Sequence, residues 1–107
     1  MVYLIDAKID YNLIGDRLQE LLPLEWVQTT AMFESGALLG IWRKASANGV
    51  VAVWNLPDHM AVYEQIRKMP LYPYMNEIQV MPLVAHPKYP QFCEPRMAVA
   101  TAGAAGD

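Results

Sequence analysis

The sequence predicts a single α+β domain in which four strands form one antiparallel sheet and two helices cover it. Three observations carry that expectation. Four short segments are rich in β-branched, aromatic and aliphatic residues and are bounded by turn formers. Two longer segments repeat apolar residues at helical spacing. The segments alternate in the order β-α-β-β-α-β, which is the ferredoxin-like arrangement.

The elements follow in order. Residues 2–9 alternate around β-favouring side chains and read as the first strand. Residues 12–35 are helical in composition. Leu13, Ile14, Leu18, Leu21 and Leu22 form one apolar stripe, and Val27, Ala31 and Met32 form another. Pro23 lies between them, and proline is tolerated in a first helical turn, so a break near Leu22 and a restart at Pro23 are expected. Ser35-Gly36 supplies the stop, with glycine as the left-handed cap. Residues 38–44 and 50–55 are the second and third strands, joined by Ala45-Ser46-Ala47-Asn48-Gly49 with its Asn-Gly turn signal. Asp58 caps the second helix, and Val62, Ile66 and Met69 line one face of it. That helix must end before Pro70, and residues 78–84 supply the fourth strand.

Composition excludes several functions. The 107 residues suit one domain, assigned to residues 1–88, with an arm and a disordered tail over 89–107. Net charge is −3 and the eight Lys and Arg are scattered, so no nucleic-acid footprint is expected. No apolar run approaches the roughly 20 residues that span a bilayer, and no signal-peptide core follows Met1. The single Cys93 excludes an internal disulfide framework and suits a reducing cytoplasm, which is the expected location. His59 and His86 lack partners at ligand spacing and no phosphate loop is present, so neither metal nor cofactor is expected. The 54% hydrophobic fraction is high for so short a chain. Strands two and three are apolar on both parities, so both sheet faces want covering, and a second copy packed sheet to sheet is the simple solution.

The chemistry-bearing candidates lie in a few places. Glu25, between Leu24 and Trp26, is a carboxylate that burial would tune toward a general base, or else a first-turn glutamate favouring the helix dipole. Arg43, beside Trp42, offers a two-pronged contact to a carboxylate, or else a salt bridge at a sheet edge. Strand alternation puts Trp42 and Arg43 on opposite faces unless a bulge intervenes. Tyr72 and Tyr74 are held on a stiffened turn and offer phenolic donors to an oxyanion, or packing at a subunit seam. Tyr3, Trp26, Trp54 and His86 complete the candidate substrate contacts.

The run Lys68-Met69-Pro70-Leu71-Tyr72-Pro73-Tyr74-Met75, followed by an apolar strand and then His86-Pro87, resembles the muconolactone isomerase family, whose chains carry "LPLFPYM", a strand and "HP". Gly36, Trp42-Arg43 and Val53 keep that spacing without a gap. Counting back from Gly36, Glu25 falls on a glutamate of the family's "DEKE" segment. The resemblance implies a dimeric α+β barrel, a small-molecule substrate and isomerisation by proton transfer. The departures are also informative. The family's "WRHLWR" strand reads Leu38-Leu39-Gly40-Ile41-Trp42-Arg43, and its "GHYANYSVF" hairpin reads Ser46-Ala47-Asn48-Gly49-Val50-Val51-Ala52-Val53-Trp54. Basic residues are lost in both. The resulting expectation is a divergent, cofactor-independent isomerase with a more apolar cavity, using Glu25 as base and Arg43 or a tyrosine at the enolate. Two alternatives stand beside it. One is a cofactor-free monooxygenase or cyclase with a cavity lined by Trp26, Trp42 and Trp54; the other is a non-catalytic ligand-binding barrel.

Overall fold

The structure, a computed structural model, describes residues 1–92. Expectations for Cys93 and the tail beyond it lie outside the described residues. Strand β1 (Val2–Ile9) is followed by a short helix α1 (Tyr11–Ile14) and a long helix α2 (Leu18–Ser35). Strands β2 (Leu38–Arg43) and β3 (Gly49–Asn55) form a hairpin, helix α3 (His59–Lys68) follows, and β4 (Met75–Leu83) closes the sheet. The order across the sheet is β2-β3-β1-β4, antiparallel throughout, which is the ferredoxin-like fold. Among the described residues no helix is long and apolar enough to cross a membrane.

Three local expectations are corrected. The first helical region does not break at Pro23. Asp10 caps α1 by accepting the Leu13 N–H at 3.0 Å, and Gly15, at φ 56°, ends that helix. Pro23 sits inside α2 in its second turn. It has no N–H for the Gln19 carbonyl, but its outward face is exposed, where water can serve the orphan.

The hairpin does not turn on Asn48-Gly49. Ala47 takes the left-handed conformation at φ 61°, and Gly49 is already in β3. The glycine is needed there because a Cβ would lie 2.0 Å from the Ala7 carbonyl oxygen of β1.

Third, strict alternation along residues 38–44 would put Trp42 on the face of Val50, Ala52 and Trp54, and the structure differs. A bulge places Leu38 opposite Trp54 but Gly40 opposite Val53. Leu38, Ile41 and Arg43 therefore share the helix-covered face with Val50, Ala52 and Trp54, while Trp42 moves to the other face with Val51 and Val53. The bulge lies upstream of the Trp-Arg pair, so Trp42 and Arg43 still point to opposite sides.

The core lies between the sheet and the helices. Tyr3, Ile5, Ala52 and Trp54 of the sheet pack against Met32 of α2 and Val62 and Ile66 of α3. Gly36 caps α2 at φ 86°, and Asp58 caps α3 by accepting the Ala61 N–H at 2.8 Å, as the sequence predicts.

Candidate active site

Beneath α2 the layers do not meet completely, leaving a cavity of about 210 Å³. Its floor is the covered face of the sheet, including Ile5, Ala52 and Trp54; α3 and the loop after it add Ile66, Met69 and Leu71. The wall is almost wholly apolar because it is cut from the same periodic positions that build the core. Its polar exceptions are Glu25, Thr29 and Tyr11. Glu25 and Thr29 are four apart on α2 and so share a face.

Glu25 is held from across the fold. The backbone N–H of Leu71 donates to Glu25 Oε1 at 3.0 Å. Burial pushes the Glu25 carboxyl above its usual range, and the Leu71 hydrogen bond opposes that rise. The Pro70–Pro73 corner gains a structural purpose from this contact. It also accepts the Asp10 N–H on the Tyr74 carbonyl at 2.9 Å, and the Tyr74 hydroxyl accepts from Arg17 Nη1 at 2.9 Å. The corner thus holds the chain between β1 and α2 at two points, Asp10 and Arg17, and α2 itself at Glu25.

The other candidates disperse. Trp54, 5% exposed, lines the cavity. Arg43 lies on the covered sheet face with its guanidinium 5.7 Å from the centre of the Tyr11 ring, and so meets the wall through Tyr11. Trp26 is 70% exposed on the outer side of α2, and Trp42 is 59% exposed on the opposite sheet face. A cavity lined by three tryptophans is therefore not formed. Tyr72 is exposed on the corner, outside the wall. Tyr3 is fully buried and shares a 2.9 Å hydrogen bond with His59 Nδ1 in a separate groove; burial and the charge of Asp58 raise its phenol above the usual range. His86 is exposed, accepts the Lys88 N–H at 3.1 Å and packs its ring 4.8 Å from that of Tyr89. Among the described residues no group of three or more His, Cys, Asp or Glu is placed to hold a metal ion.

The arrangement can hold an apolar molecule against a carboxylate of raised proton affinity. The family model for muconolactone delta-isomerase matches residues 1–89. The chain belongs to that family. A solved muconolactone isomerase is similar at 24% identity with a TM-score of 0.69, covering 81% of this chain and 92% of that one. The 5-chloro-2-hydroxyhydroquinone dehydrochlorinase of Burkholderia phenoliruptrix AC1100, solved with 2,5-dihydroxybenzoquinone, is similar at 10% identity with a TM-score of 0.67, covering 80% and 96%. Both likenesses speak for the fold. No curated protein gives a significant match. Family and fold together make this a small-molecule catalytic or binding protein of ferredoxin-like architecture.

For a muconolactone isomerase family member, sequence reasoning missed two parts of the cavity. Thr29 was legible as the residue one turn beyond Glu25. Tyr11 continues the covered parity of Ile5, Ala7 and Ile9, but its place in a helix concealed that. The Leu71 N–H left no signal, since a backbone donor acquires its partner only through tertiary packing.

Proposed function

We propose that this chain is a cofactor-independent isomerase that shifts a proton, and with it a double bond, in an apolar lactone or related unsaturated carbonyl compound. The observation that carries the reading is Glu25: a lone carboxylate in an apolar wall, anchored through one oxygen, with its proton affinity raised by burial. A base for this work needs a pKa closer to neutrality than an exposed carboxylate has. With Oε1 engaged by Leu71, Oε2 takes the proton from the carbon beside the carbonyl. The electron pair passes into the carbonyl as a dienolate, and the same proton returns to the far end of the conjugated system. No redox partner is needed.

Thr29 and Tyr11 supply hydroxyls to the enolate oxygen, and Arg43 adds positive charge over the Tyr11 ring. Tyr74 acts as a positioning residue through the corner. The partners in this reading are a small-molecule substrate and a second copy of the chain packed on the open sheet face, where Trp42 and Met81 are exposed. Elimination from a ring would begin with the same proton abstraction by the same base.

The test is proton NMR in deuterated water with α-angelica lactone, which carries an acidic CH₂ beside its carbonyl and a double bond one carbon further on. The native chain incorporates deuterium and moves the double bond. Glu25→Gln lowers the rate by about 10²- to 10⁴-fold, the usual contribution of a positioned base. Exchange surviving in that variant would remove Glu25 from the mechanism. Absence of exchange in the native protein with this and related lactones would remove the isomerase.

A further inference from the structure

Leu22, Glu25 and Thr29 belong to two hollows at once. They line the interior cavity, and with Gln19, Pro23 and Trp26 they line an open depression on the outer side of α2. Their spacing of three and four residues makes them one stripe of the helix. The carboxylate therefore stands at the boundary between solvent and the apolar interior. Outside that boundary Leu22 and Trp26 are both exposed, as are Leu24, Val27 and Phe33 elsewhere on the helix.

The charge of this route is one-sided. Among the described residues neither hollow is lined by Lys, Arg or His. Arg43 is engaged with the Tyr11 ring, and Arg17 lies 3.9 Å from Glu20 and donates to the Tyr74 hydroxyl. Pro23 leaves the Gln19 carbonyl without its helical N–H partner, a further acceptor on this turn. An entering anion would meet the Glu25 carboxylate with no cation in either wall to offset it, since Arg43 reaches the cavity only through the Tyr11 ring. An uncharged planar ring would meet an indole face and an aliphatic rim.

We propose that ligands reach Glu25 across α2, through a portal walled by Leu22 and Trp26 that selects planar, uncharged unsaturated carbonyl compounds over their carboxylates. The proposal rests on the reading of Glu25 as the base, but its test needs no turnover. Coumarin is a neutral planar lactone, and coumarin-3-carboxylate is the same ring with a charge. Binding of each to the full chain is measured by calorimetry, with quenching of Trp54 in the cavity wall as a second readout.

Coumarin is expected to bind at least about tenfold more tightly than the carboxylate, because an unpaired anion loses its hydration there. Trp26→Ala weakens coumarin by about fivefold while Trp26→Phe retains it, as expected for an aromatic contact. Leu22→Arg, at an exposed position that tolerates the change, raises affinity for the carboxylate by about tenfold. Glu25→Gln narrows the preference for the neutral ligand. Equal binding of the two coumarins, or affinities unmoved by both Trp26→Ala and Leu22→Arg, would overturn the portal. A Trp26→Ala change that alters subunit association and leaves coumarin binding intact would overturn it too, showing Trp26 to be a contact between copies. Loss of exchange in Glu25→Gln with these binding results absent would discard the portal and keep the base; the reverse would keep the portal and discard the base.

Discussion

At Glu25 two opposing effects set the proton affinity. Burial raises it and the Leu71 N–H lowers it, with burial the larger. A base works in its ionised form, so the acidic limb of the rate profile should lie above the ordinary carboxyl value of about 4.5. Replacing the Leu71 amide by an ester removes the donor, and the Glu25 resonance in a ¹³C-detected titration should then move to higher pH. An unchanged midpoint would mean that the hydrogen bond does not tune the group. The same shift has a stability consequence of defined sign. Between the ordinary value and the raised one, the folded chain binds more protons than the unfolded chain, so stability falls as pH rises through that window. Glu25→Gln should flatten this slope in urea titrations at several pH values. The partial burial of Glu25 was legible in the sequence because a carboxylate among Leu22, Leu24, Trp26 and Val27 is out of place on a solvated helix. Its anchor was not legible, because Leu71 is 46 residues away and donates through its backbone.

Among the elements, the order and kind were legible from periodicity, while the interruptions were not. Residues 2–9, the Asp58 cap and the Gly36 stop stand where local pattern puts them, since each depends on neighbours in sequence. Pro23 and Gly49 behave differently because their constraints come from elsewhere in the fold. Pro23 is accommodated inside α2 on an exposed side, so Pro23→Ala should restore a backbone hydrogen bond and stabilise the chain by about 1 kcal/mol. Gly49 is required by the approach of β1 to β3 rather than by a turn. Gly49→Ala should cost about 1–3 kcal/mol as overpacking against the Ala7 carbonyl, whereas Ala47→Gly, at a residue already left-handed, should be neutral or stabilising. Chemical denaturation of the two variants separates these roles. A larger penalty at position 47 than at 49 would reverse the assignment.

For the whole molecule, the sheet is the asymmetric feature. Its covered face carries the cavity, and α2 and α3 pack on that side. Its open face presents Trp42 and Met81 to solvent, with Leu4, Val51 and Val53 between them. Trp42 lies so close over Gly40 that a Cβ there would come within 2.6 Å of the indole. The glycine thus lets the ring lie flat against its own strand and broadens the apolar surface. Toward the other end the face turns polar, where Lys44 pairs with Asp6 beside Lys8 and Glu77. A surface of this kind suits a second copy laid on its apolar part while the charged end stays hydrated. Trp42→Glu and Met81→Glu each place a charge on that apolar face, one at either edge of the sheet, without touching the cavity. Each should weaken self-association by about a hundredfold in sedimentation equilibrium, since an unpaired charge would be buried. Helical content and coumarin binding should be retained, because α2 and the cavity lie on the far side of the sheet. Unaltered association in both variants would show that copies meet elsewhere, and the exposed face of α2 would become the surface to disrupt.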